Sequence, residues 1–380
     1  MSTDGLLLLG QDNSLHARAG GPVMRPPITA LEKAASALLA QGGDGTSESI
    51  VAGAVPFDPA QDTYLFRAGR VRRGDAAAAV LQREEDVGGG RTVLQPVGTS
   101  QDYAAMVAQA LEMIGRGALT KVVLARQLAW RASGPVDPLA LARRLHAADP
   151  SVLTFLLDLA PASGAAQHWL VGATPELLVE RRGPAVRSHP LAGSAPRAAD
   201  RAVDEQAARG LLESEKDRRE HRLVVEYITD LLAPLCADLA TDGPALRSTA
   251  TMWHLGTAIT GRLKQADGPS AAGLAALLHP TPAVGGVPRN PAIAAIRALE
   301  GNRRGFYGGA IGWVDRAGDG QWHVTLRCAE IRGRDVTLHA GAGIVAGSEP
   351  AAELAETAAK FRAMLRALEL DAPVPAGALA

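Results

Sequence analysis

Two groups of carboxylates stand out by their spacing. Asp217 and Glu220 lie three residues apart, just upstream of Val224, Tyr227, Ile228 and Leu231, which form an apolar stripe at helical spacing. Continued upstream in steps of three and four, that stripe meets Glu220, Asp217 and Glu213. These carboxylates therefore project from the side that is buried one turn later, unless the stripe simply ends where the helix leaves the core. Near the other end of the chain, Glu353, Glu356 and Lys360 repeat the arrangement, with Met364 continuing their line beside a core stripe of Leu354, Phe361, Leu365 and Leu368. The simpler account of Glu356 and Lys360 is a surface i,i+4 pair, worth a few tenths of a kcal/mol. Two carboxylate pairs, each on one helix face, fold poorly together without a cation between them. Four hard oxygen donors with no His or Cys suit Mg²⁺.

The elements that must carry these residues are legible in outline. Residues 1 to about 50 are rich in Gly, Ala and polar residues, with one helical stretch near 28–39, and no chemistry is assigned to them. Residues 53–58 read as a strand end and turn, and 72–92 as a mobile polar connection. Tyr103, Met106, Val107, Ala110 and Ile114 predict an amphipathic helix over 101–116. It leads into a Val- and Leu-rich strand that starts at Lys121. Strands are expected at 152–159, 168–172, 176–181 and 185–192, then one long helix over 204–232, then strands at 306–314, 321–331 and 335–345. Gly318-Asp319-Gly320 and Gly333-Arg334-Asp335 supply tight-turn chemistry at two of the joins. A last helix is expected over 350–368, with Pro350 in its first turn. Hairpins flanked by long helices predict a single large α/β (α+β) domain built mainly on antiparallel sheet. Within it, residues 1–95 form the N-terminal part of the fold, with poorly ordered ends; residues 96–372 form the core that carries these carboxylates, and 373–380 a tail.

Composition narrows the function. The 380 residues carry 39 Lys and Arg against 40 Asp and Glu, a formal charge of −1, and only 4% are aromatic. A neutral surface without stacking platforms argues against nucleic-acid binding. No apolar run approaches the ~20 residues that span a bilayer, and Leu6 to Leu9 is too short, with no basic residue ahead of it, to direct export. Cys236 and Cys328 have no metal or redox spacing. A cytoplasmic protein, monomeric or homodimeric and without membrane attachment, is expected. Lysine is scarce: Lys33, Lys121, Lys216, Lys264 and Lys360 are the only five among the 39 basic residues. Where arginine is the default cation, a lysine hints that guanidinium chemistry would not serve. Nucleotide and hydrolase motifs are missing: Gly341-Ala342-Gly343 with Gly347 lacks the dinucleotide spacing, and there is no P-loop, nucleophile elbow or zinc-binding His-Glu-x-x-His.

Longer blocks carry a resemblance. Lys121 to Arg126, Gly172 to Leu177, Pro190 to Ala195, Ser214 to His221, Trp253-His254-Leu255 and His279 to Gly286 stand in one order. Thr325 to Ala329, Gly341 to Val345, and Glu353 with Glu356, Thr357 and Lys360 complete it. In these blocks the chain resembles the chorismate-utilising enzymes over about residues 100 to 370, with a weaker echo at Gly53 to Asp58. The amine-transferring members have Gln where this chain has Lys121, and a lysine there goes with water as nucleophile. Aminodeoxychorismate synthases have Lys where Ala192 stands. The Trp253 and His279 blocks are similar to those of isochorismate synthases, whereas Tyr307 is shared with some salicylate synthases.

The resemblance implies a Mg²⁺-dependent, reversible conversion of chorismate to isochorismate, an isomerase reaction feeding siderophore synthesis. The alternatives are a salicylate synthase and a chorismate-binding protein without turnover. By the same resemblance, Lys121 is the general base for water and Glu176 the general acid for the leaving hydroxyl. That chemistry asks for an amine able to shed its proton and a carboxyl able to keep one, and burial favours both neutral forms. Read alone, a lysine at a strand start is a surface group and a Glu after Pro begins a turn. Glu220 and Glu356 would ligate Mg²⁺, with Asp217 and Glu353 close behind. Arg327 alternates with Trp322, Val324 and Cys328, so it points away from their apolar face, placed to fork onto the enolpyruvyl carboxylate with help from Lys360. Gly193, Ala283, Gly341 and Gly343 would let backbone N–H groups approach the substrate. His254 matches a substrate-contacting position, Tyr307 is counted with the substrate-binding group, and Cys328 is expected merely to be packed.

Overall fold

The computed structural model describes residues 4–11, 13–41, 49–81, 93–97, 102–301 and 303–370. Among these residues, 17 strands join into one sheet and three into a second. The large sheet is antiparallel throughout. It runs from Cys236–Thr241 through Ile259–Leu263, Ala185–His189, Leu177–Arg182, Gly320–Val324, Ala310–Asp315 and Ile50–Val55 to Tyr64–Arg73. From there it continues through Leu15–Met24, Gly5–Leu9, Leu153–Asp158, His168–Thr174, Cys328–Arg332 and Asp335–Val345 to Lys121–Ala132.

This long sheet folds over on itself. Leu6, Leu8, Ala52, Phe66, Phe155, Leu157 and Ile311, drawn from both of its halves, share one buried cluster with Ala125. Helices cover the outside. Leu139, Leu141 and Leu145 from Pro138–Ala148 meet Phe361, Met364 and Leu365 from Pro350–Ala367 over one half. Helices Leu31–Ala40, Tyr103–Gly115, Ala271–Leu278 and Arg289–Glu300 help to form the largest cluster. The smaller sheet, Leu191–Pro196 with Met252–Gly256 and Ala245–Ser248, carries the substrate-contact residues expected at Gly193 and His254. The expected mixed fold, mainly antiparallel with flanking helices, is the one observed.

Four expectations about single elements need correction. The long helix expected over 204–232 is two helices, Arg201–Glu213 and Glu215–Leu232. Ser214 between them takes an extended conformation, and its side chain accepts from the Asp217 N–H, so the second helix has its own cap. Glu213 is thereby cut off from the stripe and is exposed. The strand expected over 185–192 breaks at Pro190, where the chain leaves the large sheet for the small one. The strand expected over 321–331 breaks at 325–327 and resumes as Cys328–Arg332 against different neighbours, with Arg327 at φ 46 in the left-handed region. Arg327 thus owes its direction to that break and not to strand alternation. Finally, the polar connection expected over 72–92 begins with the end of the Tyr64–Arg73 strand and the short helix Asp75–Ala78. Residues 82–92 and the expected tail at 373–380 lie outside the described residues.

The helix Glu215–Leu232 delivers Glu220, His221, Val224, Ile228 and Leu232 to the interior, so its start governs the site. Ser214→Ala removes the cap and is expected to cost about 1 kcal/mol. In urea denaturation this reads as a lowered midpoint with an unchanged slope.

Candidate active site

The strands Lys121–Ala132 and Asp335–Val345 pair over their whole length and set Val123 opposite Gly343 and Ala125 opposite Gly341. Lys121 opens its strand with 0% of its surface exposed. Its Nζ lies 2.9 Å from Glu220 Oε1, across from the helix Glu215–Leu232. Gly343 makes room for this pair: a Cβ there would overlap Glu220 Oε1 and sit 3.1 Å from Lys121 Cε. The lysine that alone reads as a surface group is therefore packed beneath the sheet. Apart from this ion pair its ammonium has no well-aligned hydrogen-bond partner among the described residues.

Glu176 follows Pro175 in the connection between His168–Thr174 and Leu177–Arg182, and is only 3% exposed. Burial pushes its carboxyl up to about 8, against the opposing pull of the Leu191 N–H and the charges of Lys121 and Lys360. At neutral pH it holds a proton that it can give away.

In the small sheet a bulge at Gly193, φ +75, interrupts the pairing between Ala192–Leu255 and Ser194–His254. A Cβ on Gly193 would stand 3.0 Å from the Cβ of Asp217. The next residue, Ser194, donates from Oγ to Glu356 Oε1 at 2.8 Å. His254 accepts at Nε2 from Arg327 Nη2. Burial and the Arg327 charge hold its imidazole well below the usual range, so it is neutral. Burial also pulls the Arg327 guanidinium down to about 10.

The glutamates are held by lysines and Asp217 by a hydroxyl. Lys216 Nζ meets Glu353 Oε1 at 2.7 Å, Lys360 Nζ meets Glu356 Oε1 at 2.7 Å, and Ser214 Oγ donates to Asp217 Oδ2 at 2.5 Å. Together with Lys121, three of the chain's five lysines stand here. Burial raises Asp217, and the charges of Glu220 and Glu356 raise it further; burial likewise raises Glu353, with Glu356 adding to it. Mutual repulsion of this kind and the unpartnered Oε2 of Glu353, which is 1% exposed, fit a site able to accept a hard divalent cation. In the present arrangement no three His, Cys, Asp or Glu side chains among the described residues converge as cation ligands; each of the three glutamates faces a lysine.

These groups surround one cavity of about 770 Å³, counting its mouth. Glu176, Gly193, Glu220, His254, Ala283, Tyr307, Arg327, Gly341, Gly343, Glu356 and Lys360 line it. Lys121 and Asp217 lie behind that wall, in contact with residues that form it, and Glu353 lies outside the lining within the field of Glu356. The Tyr307 ring stacks on His339 with centroids 5.0 Å apart, and Lys360 Nζ also donates to the Gly341 carbonyl at 2.8 Å. Cys328 is buried away from the lining, as expected.

Sequence reasoning missed several wall residues. Arg304 is buried, pairs with Glu300 and donates to the carbonyls of Val123 at 2.6 Å and Val284 at 2.7 Å, which ties two sides of the cavity together. Its one local signal was the i,i+4 spacing of Glu300 and Arg304. His339 was equally unmarked, and Ser194 stood inside the block 190–195 without a role of its own.

The model of the chorismate-binding enzyme family matches residues 76–369. The chain belongs to that family. It is 42% identical over 339 residues to the isochorismate synthase DhbC of Bacillus subtilis, covering 89% of this chain and 85% of that one. It is 44% identical over 352 residues to the putative isochorismate synthase MenF of Mycobacterium tuberculosis, covering 89% and 90%. The crystal structure of a putative 2,3-dihydroxybenzoate-specific isochorismate synthase, DhbC from Bacillus anthracis, superposes with a TM-score of 0.89 at 37% identity, covering 98% of each chain.

The raised Glu176 carboxyl has a consequence for stability. A buried acid that stays protonated in the fold stabilises it fully below its unfolded value near 4.5, and that contribution is lost as pH rises towards about 8. Relative to Glu176→Gln, which cannot ionise, the native chain should lose stability between pH 4.5 and 8 in denaturant titrations at stepped pH.

Proposed function

We propose that this family member is an isochorismate synthase, adding water at C2 of chorismate as the C4 hydroxyl leaves and the ring double bonds shift between them. The observation that carries this reading is a fully buried carboxyl, Glu176, still protonated at neutral pH, in the cavity that lies against the Lys121–Glu220 pair. Glu176 donates its proton to the departing hydroxyl. Lys121 first releases its ammonium proton to solvent and then, as the neutral amine, takes a proton from the attacking water. An amine can do this where an amide could not. Return of both protons completes the reverse reaction, so the enzyme equilibrates the two isomers. Neutral His254 orients Arg327 for a two-pronged contact with the enolpyruvyl carboxylate, and Lys360 adds a second charge.

Glu220 and Glu356, with Asp217 and Glu353 behind them, are the residues that would hold Mg²⁺. When bound, the ion neutralises the ring carboxylate and fixes the substrate's position. The residues themselves supply four carboxylates against three lysines, with burial and mutual repulsion raising Asp217 and Glu353. The proposed setting is the cytoplasm, as a monomer or homodimer, with the product passing to siderophore synthesis; likeness to the 2,3-dihydroxybenzoate-specific structure supports that branch. Salicylate synthase is the second reading, because some salicylate synthases resemble this chain in having Tyr at the position of Tyr307.

Purified protein incubated with chorismate and Mg²⁺ should give a chorismate–isochorismate mixture by chromatography, and chelation with EDTA should stop it. Salicylate with pyruvate would move the assignment to the second reading, and unchanged chorismate would overturn both. Lys121→Ala should lower turnover by about 10²–10⁴-fold, while calorimetry shows Mg²⁺-dependent chorismate binding largely kept. Full activity in that variant would remove Lys121 from the mechanism.

A further inference from the structure

A second cavity backs onto the first. It holds about 750 Å³, counting its mouth, between the ends of the helices Pro138–Ala148 and Pro350–Ala367 and the turn at 249–251. Among the described residues Arg327 is the one that lines both cavities. Small side chains, among them Ala148, Ala363 and Ala367, make the walls apolar, and Arg144 and Arg366 join Arg327 as their cations.

The charges in this second cavity do not cancel. Asp149 is its one acid, and both of its oxygens are engaged: Oδ1 accepts from the Ser151 N–H and hydroxyl, and Oδ2 from the Ala250 N–H at 2.7 Å. Its field reaches Arg327, yet no ion pair joins them. Arg144 is spent on the Ala367 carbonyl and lies 3.8 Å from Glu369. Among the described residues Arg327 forms no ion pair and has a neutral imidazole as its hydrogen-bond partner, and Arg366 has no ion pair. An apolar cavity with these arginines in its lining suits an amphipathic anion, apolar at one end and a carboxylate at the other.

We propose that this cavity is a second site, for a small aryl carboxylate, whose carboxylate pairs with Arg327 and Arg366 from the side opposite the substrate. A ligand there competes for the guanidinium that His254 orients. It therefore weakens chorismate binding without occupying the chorismate site, and chorismate weakens the ligand by the same factor. The effect on the substrate rests on the function proposed above; the binding itself does not.

Benzoate and salicylate are the probes. With the Mg²⁺-loaded enzyme, either should raise the apparent KM for chorismate about fivefold and then level off, because both ligands can be bound at once. Calorimetry without chorismate should show one equivalent bound. Ala363→Leu, which fills the slot, and Arg366→Met, which removes an exposed cation, should each abolish the plateau and the calorimetric signal, with KM and kcat in the absence of probe within about twofold of the parent. Inhibition that climbs without levelling off and persists in both variants would place the aryl acid in the chorismate site and overturn the proposal. So would the absence of calorimetric binding. If the chain does not turn over chorismate but binds the probe in a manner sensitive to Ala363→Leu, the second site stands and the catalytic reading falls.

Discussion

The buried pair of Lys121 and Glu220 is the constraint on which the rest of the site depends. Two charges removed from water incur a desolvation cost of several kcal/mol each, and loss of either partner leaves the other uncompensated. The fold meets this cost by bringing a strand and a helix to one point, with Gly343 as the only residue type that lets them close. The same burial keeps nearby Glu176 protonated. One dry environment therefore gives an acid its proton and keeps an amine close to a group that can release it.

Around this pair the site is organised as a set of lysine–glutamate contacts instead of isolated carboxylates. Lys216, Lys360 and Lys121 each face one glutamate. In the proposed metal-bound state a divalent cation would exchange with these ammonium groups for the same oxygens. Arginine could not make this exchange as readily, since its fork binds carboxylates in two-pronged fashion. The scarcity of lysine elsewhere in the chain gains its meaning here.

Both cavities meet at Arg327. Its position follows from a break between two strands that read in sequence as one, and from the left-handed backbone at that break. A residue inside a regular strand would serve one face of the sheet. Arg327, at the junction, borders both cavities.

Local periodicity determined much of this protein. The helical faces that carry Glu220, Glu353 and Glu356, the strand that begins at Lys121, the last helix and the mixed antiparallel class all follow from spacings within a few residues, because side-chain direction repeats every 3.6 or 2 residues. The ordered blocks likewise marked Glu176, His254 and Arg327. Tertiary structure alone decided the rest. Ser214 splits a helix that periodicity reads as continuous, since its own side chain caps the second half. Lys121 is buried instead of solvated because Asp335–Val345, more than 200 residues away in sequence, covers it in register. Arg304 became a strut because two carbonyls from distant segments converge on it. Such contacts depend on the pairing of remote strands, and no local pattern encodes which remote strand will be the neighbour.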